Sequence, residues 1–209
     1  MYYTGIDVHP KRSQFQMLDE DGALGLTMNV PTTIAGFEQY FSKLDAPTRV
    51  TFEASCCYWW VHEHLTHHPQ VVHTTVVDPR RSRRLSEELS VQRGYGRAKN
   101  DRIDTEMMAE QDRLKLAPAI HVPTAEQLRV RSLNRHRFLL VYDRTAARNR
   151  IYGLLCLHGA IVQTAKFVDD PEYRTRQLQT MPDYVHFLAA HQVAQIELFT
   201  KQVHACEKE

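Results

Sequence analysis

The 209-residue sequence predicts an α/β fold built on a mixed five-stranded sheet with flanking helices, followed by a region of long helices. Three observations carry that expectation. The chain opens with three strand-like runs separated only by short turn-forming segments. Two further β-rich runs follow, each preceded by a stretch of helical apolar spacing. After about residue 124 the strand signals give way to long helical patterns.

Tyr2, Tyr3, Thr4, Ile6 and Val8 favour extended backbone and predict a first strand over 2–8. "SQFQMLDEDG" alternates into a second strand and ends in a turn supplied by Asp19, Glu20, Asp21 and Gly22. A third strand is expected around 24–30. Thr32 or Thr33 then caps a helix carrying Ile34, Phe37, Tyr40, Phe41 and Leu44 at helical spacing. "RVTFEAS" is a fourth strand, "YWWVHEHLTHH" a second helix, and "QVVHTTVVDP" a fifth strand stopped by Pro79. Strands joined across helices run parallel, with right-handed crossovers. Three antiparallel strands extended by two parallel ones follow the order of the ribonuclease H-like fold.

"GYGRAK" reads as a flexible loop, and Asn100 or Asp101 starts a helix through about Lys115. Pro118 and Pro123 frame a linker. Thr124 to Gln127 form a capping box that opens a helix running to about Leu157 and stopping at Gly159. "VDDPEY" breaks the pattern. A final helix from Pro182 or Asp183 carries Val185, Leu188, Val193, Ile196 and Phe199, and no capping signal ends it, so the chain is expected to continue. The expected domains are 1–117 and 124–209, the second a helical hairpin or coiled coil whose apolar faces need a partner.

The chain is 43% hydrophobic and 24% charged, as in a globular protein, and has neither an apolar run of membrane-spanning length nor a signal-peptide pattern at its start. A cytoplasmic, prokaryotic protein without membrane contact is expected. Cys56, Cys57, Cys156 and Cys206 form no C-x-x-C pair and read as reduced thiols. His64 and His68 stand four apart, but no third ligand is evident and His62 faces Thr66 rather than a histidine, so exposed helix histidines are expected instead of zinc ligands. Trp59 and Trp60 are expected to pack a core.

A net charge of +1 hides local arginine excess. Arg80, Arg81, Arg83 and Arg84 cluster after the fifth strand, Arg97 and Lys99 lie in the loop, and Arg129, Arg131, Arg135, Arg137, Arg144 and Arg148 follow on the long helix. Asp143 is the only acid between 129 and 150, whereas a solvated helix usually mixes signs. These side chains are expected to meet nucleic-acid phosphates, which position a polyanion without reading its sequence.

Four carboxylates need explanation. Asp7 interrupts the first strand, although strands disfavour aspartate and a buried carboxylate is costly unless partnered. Glu53 ends the fourth strand. Asp101 and Asp104 share a helix face at i and i+3. Taken singly, each has a plainer reading: an edge-strand charge, a strand-end surface residue, or a pair complementing a helix dipole. Taken together in this element order, they predict a cluster that repels itself unless a hard divalent cation such as magnesium neutralises it. Two such ions would suit phosphoryl transfer.

"GIDVH", "FEASCCYW", "VVDP" and "KNDRID" resemble the successive motifs of the DEDD transposase family, the Piv/MooV-type invertases and related insertion-sequence transposases with a RuvC-like N-terminal domain. "RSLNRHRFLLVYDRTAARNRIYGLL" resembles the family's helical region, so the likeness covers about residues 2–160. It implies that Asp7, Glu53, Asp101 and Asp104 bind Mg2+ or Mn2+ as the catalytic tetrad. It also implies a recombinase that acts on DNA under a structured guide (bridge) RNA, as a homo-oligomer, with a nucleophilic serine in a further C-terminal domain that maps onto no residue here. Asn100 and Thr105 stand where the family usually has threonine and alanine, glycine is common at Cys56 or Cys57, and "NP" at Asp78-Pro79. Two alternatives are a stand-alone RuvC-like magnesium-dependent endonuclease and a non-catalytic nucleic-acid-binding scaffold.

Overall fold

The computed structural model describes residues 1–95 and 101–209, Asp101 for its backbone alone. Arg97 and Lys99, and most of the expected loop, therefore lie outside the described residues. The chain divides into two compact units, Met1–Val122 and Pro123–Glu209.

The first unit contains β1 (Tyr2–Val8), β2 (Arg12–Leu18), β3 (Leu24–Pro31), α1 (Ile34–Phe41), β4 (Thr48–Glu53), α2 (Tyr58–Thr66), β5 (Val71–Val77), α3 (Pro79–Gln92) and α4 (Asp101–Arg113). The sheet order is β3-β2-β1-β4-β5. β1 pairs antiparallel with β2 and parallel with β4, so the mixed five-stranded sheet is as expected. The β2–β3 turn closes as its composition predicts: Asp19 Oδ1 accepts from the Asp21 and Ala23 amides, and Gly22 takes a φ of 82° that disfavours a side chain. Thr33 is the residue that caps α1, its hydroxyl accepting from the Gly36 amide at 3.1 Å.

Alternation along β1 sends Thr4, Ile6 and Val8 to one face and Tyr3, Gly5 and Asp7 to the other. The first face is apolar. Ile6, Phe15, Val50 and Phe52 pack there with Phe37, Tyr40 and Phe41 of α1 and Val61 and Leu65 of α2. Trp60 joins this core, its ring stacked on Phe37 at 5.7 Å.

The second face is covered by α4, and Gly5 explains how. A Cβ at Gly5 would stand 1.8 Å from the Thr105 carbonyl oxygen, so the helix backbone lies directly on the strand. Beside the buried Met107, Met108 and Ala109, much of that seam is polar. Arg49 grips Asp112 with two hydrogen bonds of 2.8 and 3.1 Å. Arg93 lies 2.8 Å from Glu106 and 3.1 Å from Glu110, and Arg113 closes on Glu110 at 2.6 Å. Gln111 bonds Ser82 and Ser86 of α3. Arg93 and Arg113 also donate to the Gly22 and Glu20 carbonyls, which ties the β2–β3 turn to both helices.

The stretch expected to be a linker between Pro118 and Pro123 is part of the sheet's border instead. Ala119 bridges Val77, the Ile120 amide donates to the Val76 carbonyl at 2.9 Å, and Ile120 and Val122 pack on the core. The strap satisfies backbone groups that the outer edge of β5 would otherwise expose.

In the second unit lie α5 (Ala125–Leu157), α6 (Thr164–Asp169), α7 (Pro171–Leu178) and α8 (Asp183–Cys206). Thr124 and Gln127 make both bonds of the capping box, and Gly159, at φ 80°, follows the end of α5. Ala147, Ile151 and Leu155 of α5 bury against Val185, Ala189, Val193 and Ile196 of α8, with Phe167, Val168 and Leu178 filling in from the short helices. "VDDPEY" breaks the helical pattern as expected, between α6 and α7, because Asp170 caps α7 through the Tyr173 amide and Pro171 occupies its first position. One reading is corrected here. Leu188 is 40% exposed, and its neighbour Ala189 takes the buried position, since a small residue allows α5 and α8 close approach.

Two outcomes follow from this packing. Gly5→Ala should cost about 3 kcal/mol or more, because the obstacle is backbone and cannot rotate aside; urea unfolding measures it. Burial works against ionisation of Glu110, but the hydrogen bonds and charges of Arg113 and Arg93 outweigh it and hold the carboxyl below its ordinary range. A depressed folded-state value stabilises above the unfolded pKa of about 4.3 and is lost as pH falls through the folded value. The urea midpoint should therefore drop in that acidic window, and Arg113→Met should shrink the drop.

Candidate active site

The end of each strand fixes where the acidic residues stand. Ile6 lies opposite Phe52 in the parallel β1–β4 pair, and Asp7 and Glu53 are the next residues on each strand. They share the face of Gly5 and Thr51, the one that α4 covers. Asp7 is paired across to Gln14 on β2, and its carboxylate lies 3.0 Å from His9 Nε2.

Glu53 pairs with Val77 at the end of β5, and the next residue, Asp78, caps α3 by accepting from the Arg80 and Arg81 amides at 2.9 Å. Pro79 fits the first helical position, where no amide is needed. This junction sets the first turns of α3 beside the end of β4. The result is a cleft of about 700 Å³ lined by Glu53, Asp104 and Met107 together with Arg80, Arg83 and Ser86.

The structure thus brings Glu53 and Asp104 to one cleft and sets Asp7 on the strand next to Glu53. Asp101 begins α4, and its side chain lies outside the description. Among the described residues no three carboxylate, imidazole or thiol groups form a metal-binding set. The carboxylate oxygens that Glu53 and Asp104 bring to the cleft are hard donors, of the kind a divalent cation such as magnesium prefers.

The arginines divide into classes that the sequence did not separate. Arg80, Arg81, Arg83 and Arg84 are exposed on α3, with Arg83 3.4 Å from Glu87. On α5, Arg129 is held by Glu126 and by the Glu209 carbonyl, and Arg137 by Glu207 at 2.7 Å. Glu207 follows the last residue of α8, 70 residues away, so counting acids between 129 and 150 could not find it. Arg144 and Arg148 are half-buried, each with an Nε that meets no acceptor among the described residues. Arg131 and Arg135 are exposed. Arg93 has no sequence signal to set it apart, yet it is the pivot of the α4 seam. Only its separation from Glu106 and Glu110 by one helix connection hints at it.

The histidines of α2 are not simply exposed. His68 is buried and His64 half-buried, and their Nε2 atoms approach Glu38 of α1 at 3.3 and 3.8 Å. Burial pushes His64 below its ordinary value despite Glu38. The pair ties α2 to α1 and lies on the opposite face of the sheet from the carboxylate cleft.

The chain is similar to known transposases. The model of the IS110-type DEDD family, described as transposase, matches residues 4–158. A curated relative from Sinorhizobium fredii (strain NBRC 101917 / NGR234), "Putative transposase y4rJ", is 27% identical over 173 residues, which are 78% of this chain. The match spans 41% of that relative's length.

Replacing Arg80, Arg81, Arg83 and Arg84 by alanine should weaken binding to duplex DNA and flatten the dependence of log affinity on log salt, by about 0.9 for each phosphate no longer neutralised. Fluorescence anisotropy across a salt series reads both, and an unchanged slope would assign these arginines to a solvated face.

Proposed function

Because the chain belongs to the DEDD transposase family of the IS110 type, we propose that it carries the metal-binding, RuvC-like part of a DNA recombinase. The observation that supports this most is the cleft at the ends of β4 and β5, where Glu53 and Asp104 meet Arg80 and Arg83. In this reading Asp7, Glu53, Asp101 and Asp104 hold magnesium or manganese. Such an ion, when bound, supplies Lewis acidity at a phosphoryl oxygen. The protein's own part is positional. β1 and β4 fix two carboxylates on adjacent strands, and the Gly5–Thr105 contact fixes α4, and with it Asp104, against them. Arg80 and Arg83 draw a phosphate backbone to the same cleft.

The sheet order fits the ribonuclease H-like fold. We assign the nucleophile, by likeness to the family, to a serine outside this chain. The tetrad contains no hydroxyl, and strand exchange through a protein–DNA link needs one. A structured guide RNA, coiled-coil pairing of α5 and α8, and assembly of several copies belong to the same reading, as does action in the prokaryotic cytoplasm. No helix of the described residues is long and apolar enough to cross a membrane.

Thermal melting tests the metal site. Like charges brought together oppose folding, so Asp7→Asn should melt higher than the wild type without metal. Magnesium should raise the wild-type midpoint and move the variant less. Equal shifts in both would remove Asp7 from the site. Magnesium-dependent cleavage of duplex or junction DNA by this chain alone would instead favour the stand-alone endonuclease.

A further inference from the structure

We propose that Cys56 and Cys57 are a reversible oxidation site, which closes into a disulfide between adjacent residues and loosens the first turn of α2. Cys56 is exposed and Cys57 half-buried, and their sulfurs lie 3.6 Å apart. Adjacency alone does not bring this about. Successive side chains of a strand point to opposite faces, and neighbours on a helix do not face each other. These two cysteines belong to neither element. They lie in the turn between the end of β4 at Glu53 and the start of α2 at Tyr58, and Cys57 is the N-cap of α2. The Tyr58 amide donates to the Ser55 carbonyl at 3.3 Å, and the Cys57 amide to the Ser55 hydroxyl oxygen at 3.4 Å. The turn so formed brings both sulfurs together.

Packing accounts for one thiol and not the other. Cys57 lies against the apolar core, a place that any small apolar residue could fill. Cys56 is open to water, where burial explains nothing about a thiol. Burial and the hydrogen bond with Cys56 raise the Cys57 thiol above its ordinary value. Cys56 is therefore the sulfur that meets an oxidant, and Cys57 is the one that resolves it.

The oxidant is a hydroperoxide. Cys56, losing its thiol proton, attacks one oxygen of hydrogen peroxide. The O–O bond breaks, the sulfur gains a hydroxyl, and the other oxygen leaves as water with that proton. Cys57 then displaces the hydroxyl, which leaves as a second water with the Cys57 proton. Two thiols have lost two electrons and two protons, and the peroxide has gained both. Consecutive Cα atoms are about 3.8 Å apart, whereas ordinary disulfides span about 4.4–6.8 Å. The closed ring is therefore strained, and strained disulfides are readily reduced again, so they act as switches and not as staples. The strain falls on Cys57, whose carbonyl holds the first turn of α2 by a long bond of 3.4 Å from the Val61 amide. This inference does not rest on the carboxylate cleft, and its test needs neither metal nor nucleic acid.

The experiment treats the reduced full chain with hydrogen peroxide, alkylates the remaining thiols under denaturing conditions, and maps the peptides by mass. The peptide holding Cys56 and Cys57 should lose two hydrogens and take no label, while Cys156 and Cys206 are alkylated. Dithiothreitol should restore both labels. Cys57→Ser should leave Cys56 as a sulfenic acid that dimedone traps, and Cys56→Ser should leave Cys57 alkylated. Hydrogen exchange of the oxidised wild type should quicken at the Val61 amide at least about twofold, the loosening of one hydrogen bond. Alkylation of both cysteines after peroxide would overturn the site, as would a disulfide joining two chains or a sulfinic acid at Cys56 beside an alkylated Cys57. Unchanged exchange in a chain whose pair has closed would overturn the effect on α2. The wild-type mapping decides the site even if a serine variant does not fold.

Discussion

The close approach of α4 to β1 is the constraint on which the first unit depends. With hydrogen as its side chain, Gly5 lets the Thr105 carbonyl sit over the strand, and any Cβ there would push the helix away. That distance decides whether Asp104 can share a cleft with Glu53. It also decides whether the buried ionic groups of α4 can reach their partners. Removing water from Glu106, Glu110 and Asp112 is costly, and only close, well-aligned guanidinium groups compensate. Arg49, Arg93 and Arg113 supply them from three different elements.

This seam also separates two jobs on the two faces of one sheet. The α1–α2 face is an aromatic and aliphatic core that stabilises by burial. The α4 face adds buried polar groups to Met107, Met108 and Ala109, and those groups demand one arrangement because each must find its own partner. A polar seam leads directly to a cleft of carboxylates and arginines at the strand ends, where parallel strands leave side chains accessible between their following loops and helices. The apolar face gives the strands rigidity, and the polar face uses it.

The second unit is simpler in its physics. α5 and α8 bury an apolar side built from small and branched residues and place their remaining charges either in pairs across the helices or toward water. The division matters because a guanidinium already held by a carboxylate gains little from a phosphate. Runs of arginine that look equivalent in sequence therefore differ in what they can bind.

The sequence by itself determined the order of the sheet's strands and the helices that connect them, the two long helices that follow, the turn at Asp19–Gly22, the cap at Thr124, and the mixed sheet, with α1's cap narrowed to Thr32 or Thr33; the short helices α6 and α7 it did not show. These are local matters of alternation, turn chemistry and hydrogen-bonding side chains, readable within a few residues. It also singled out Asp7 and Glu53, because the strand order alone sets their strands side by side. Only the tertiary structure decided that Pro118–Pro123 borders the sheet, that Ala189 and not Leu188 is buried, and that His68 turns to Glu38. Only it showed that Arg137 is answered by Glu207 and that Arg93 anchors α4. Each of these depends on a partner distant in the chain, and a side chain's type says what partner it needs but not which one the fold will deliver.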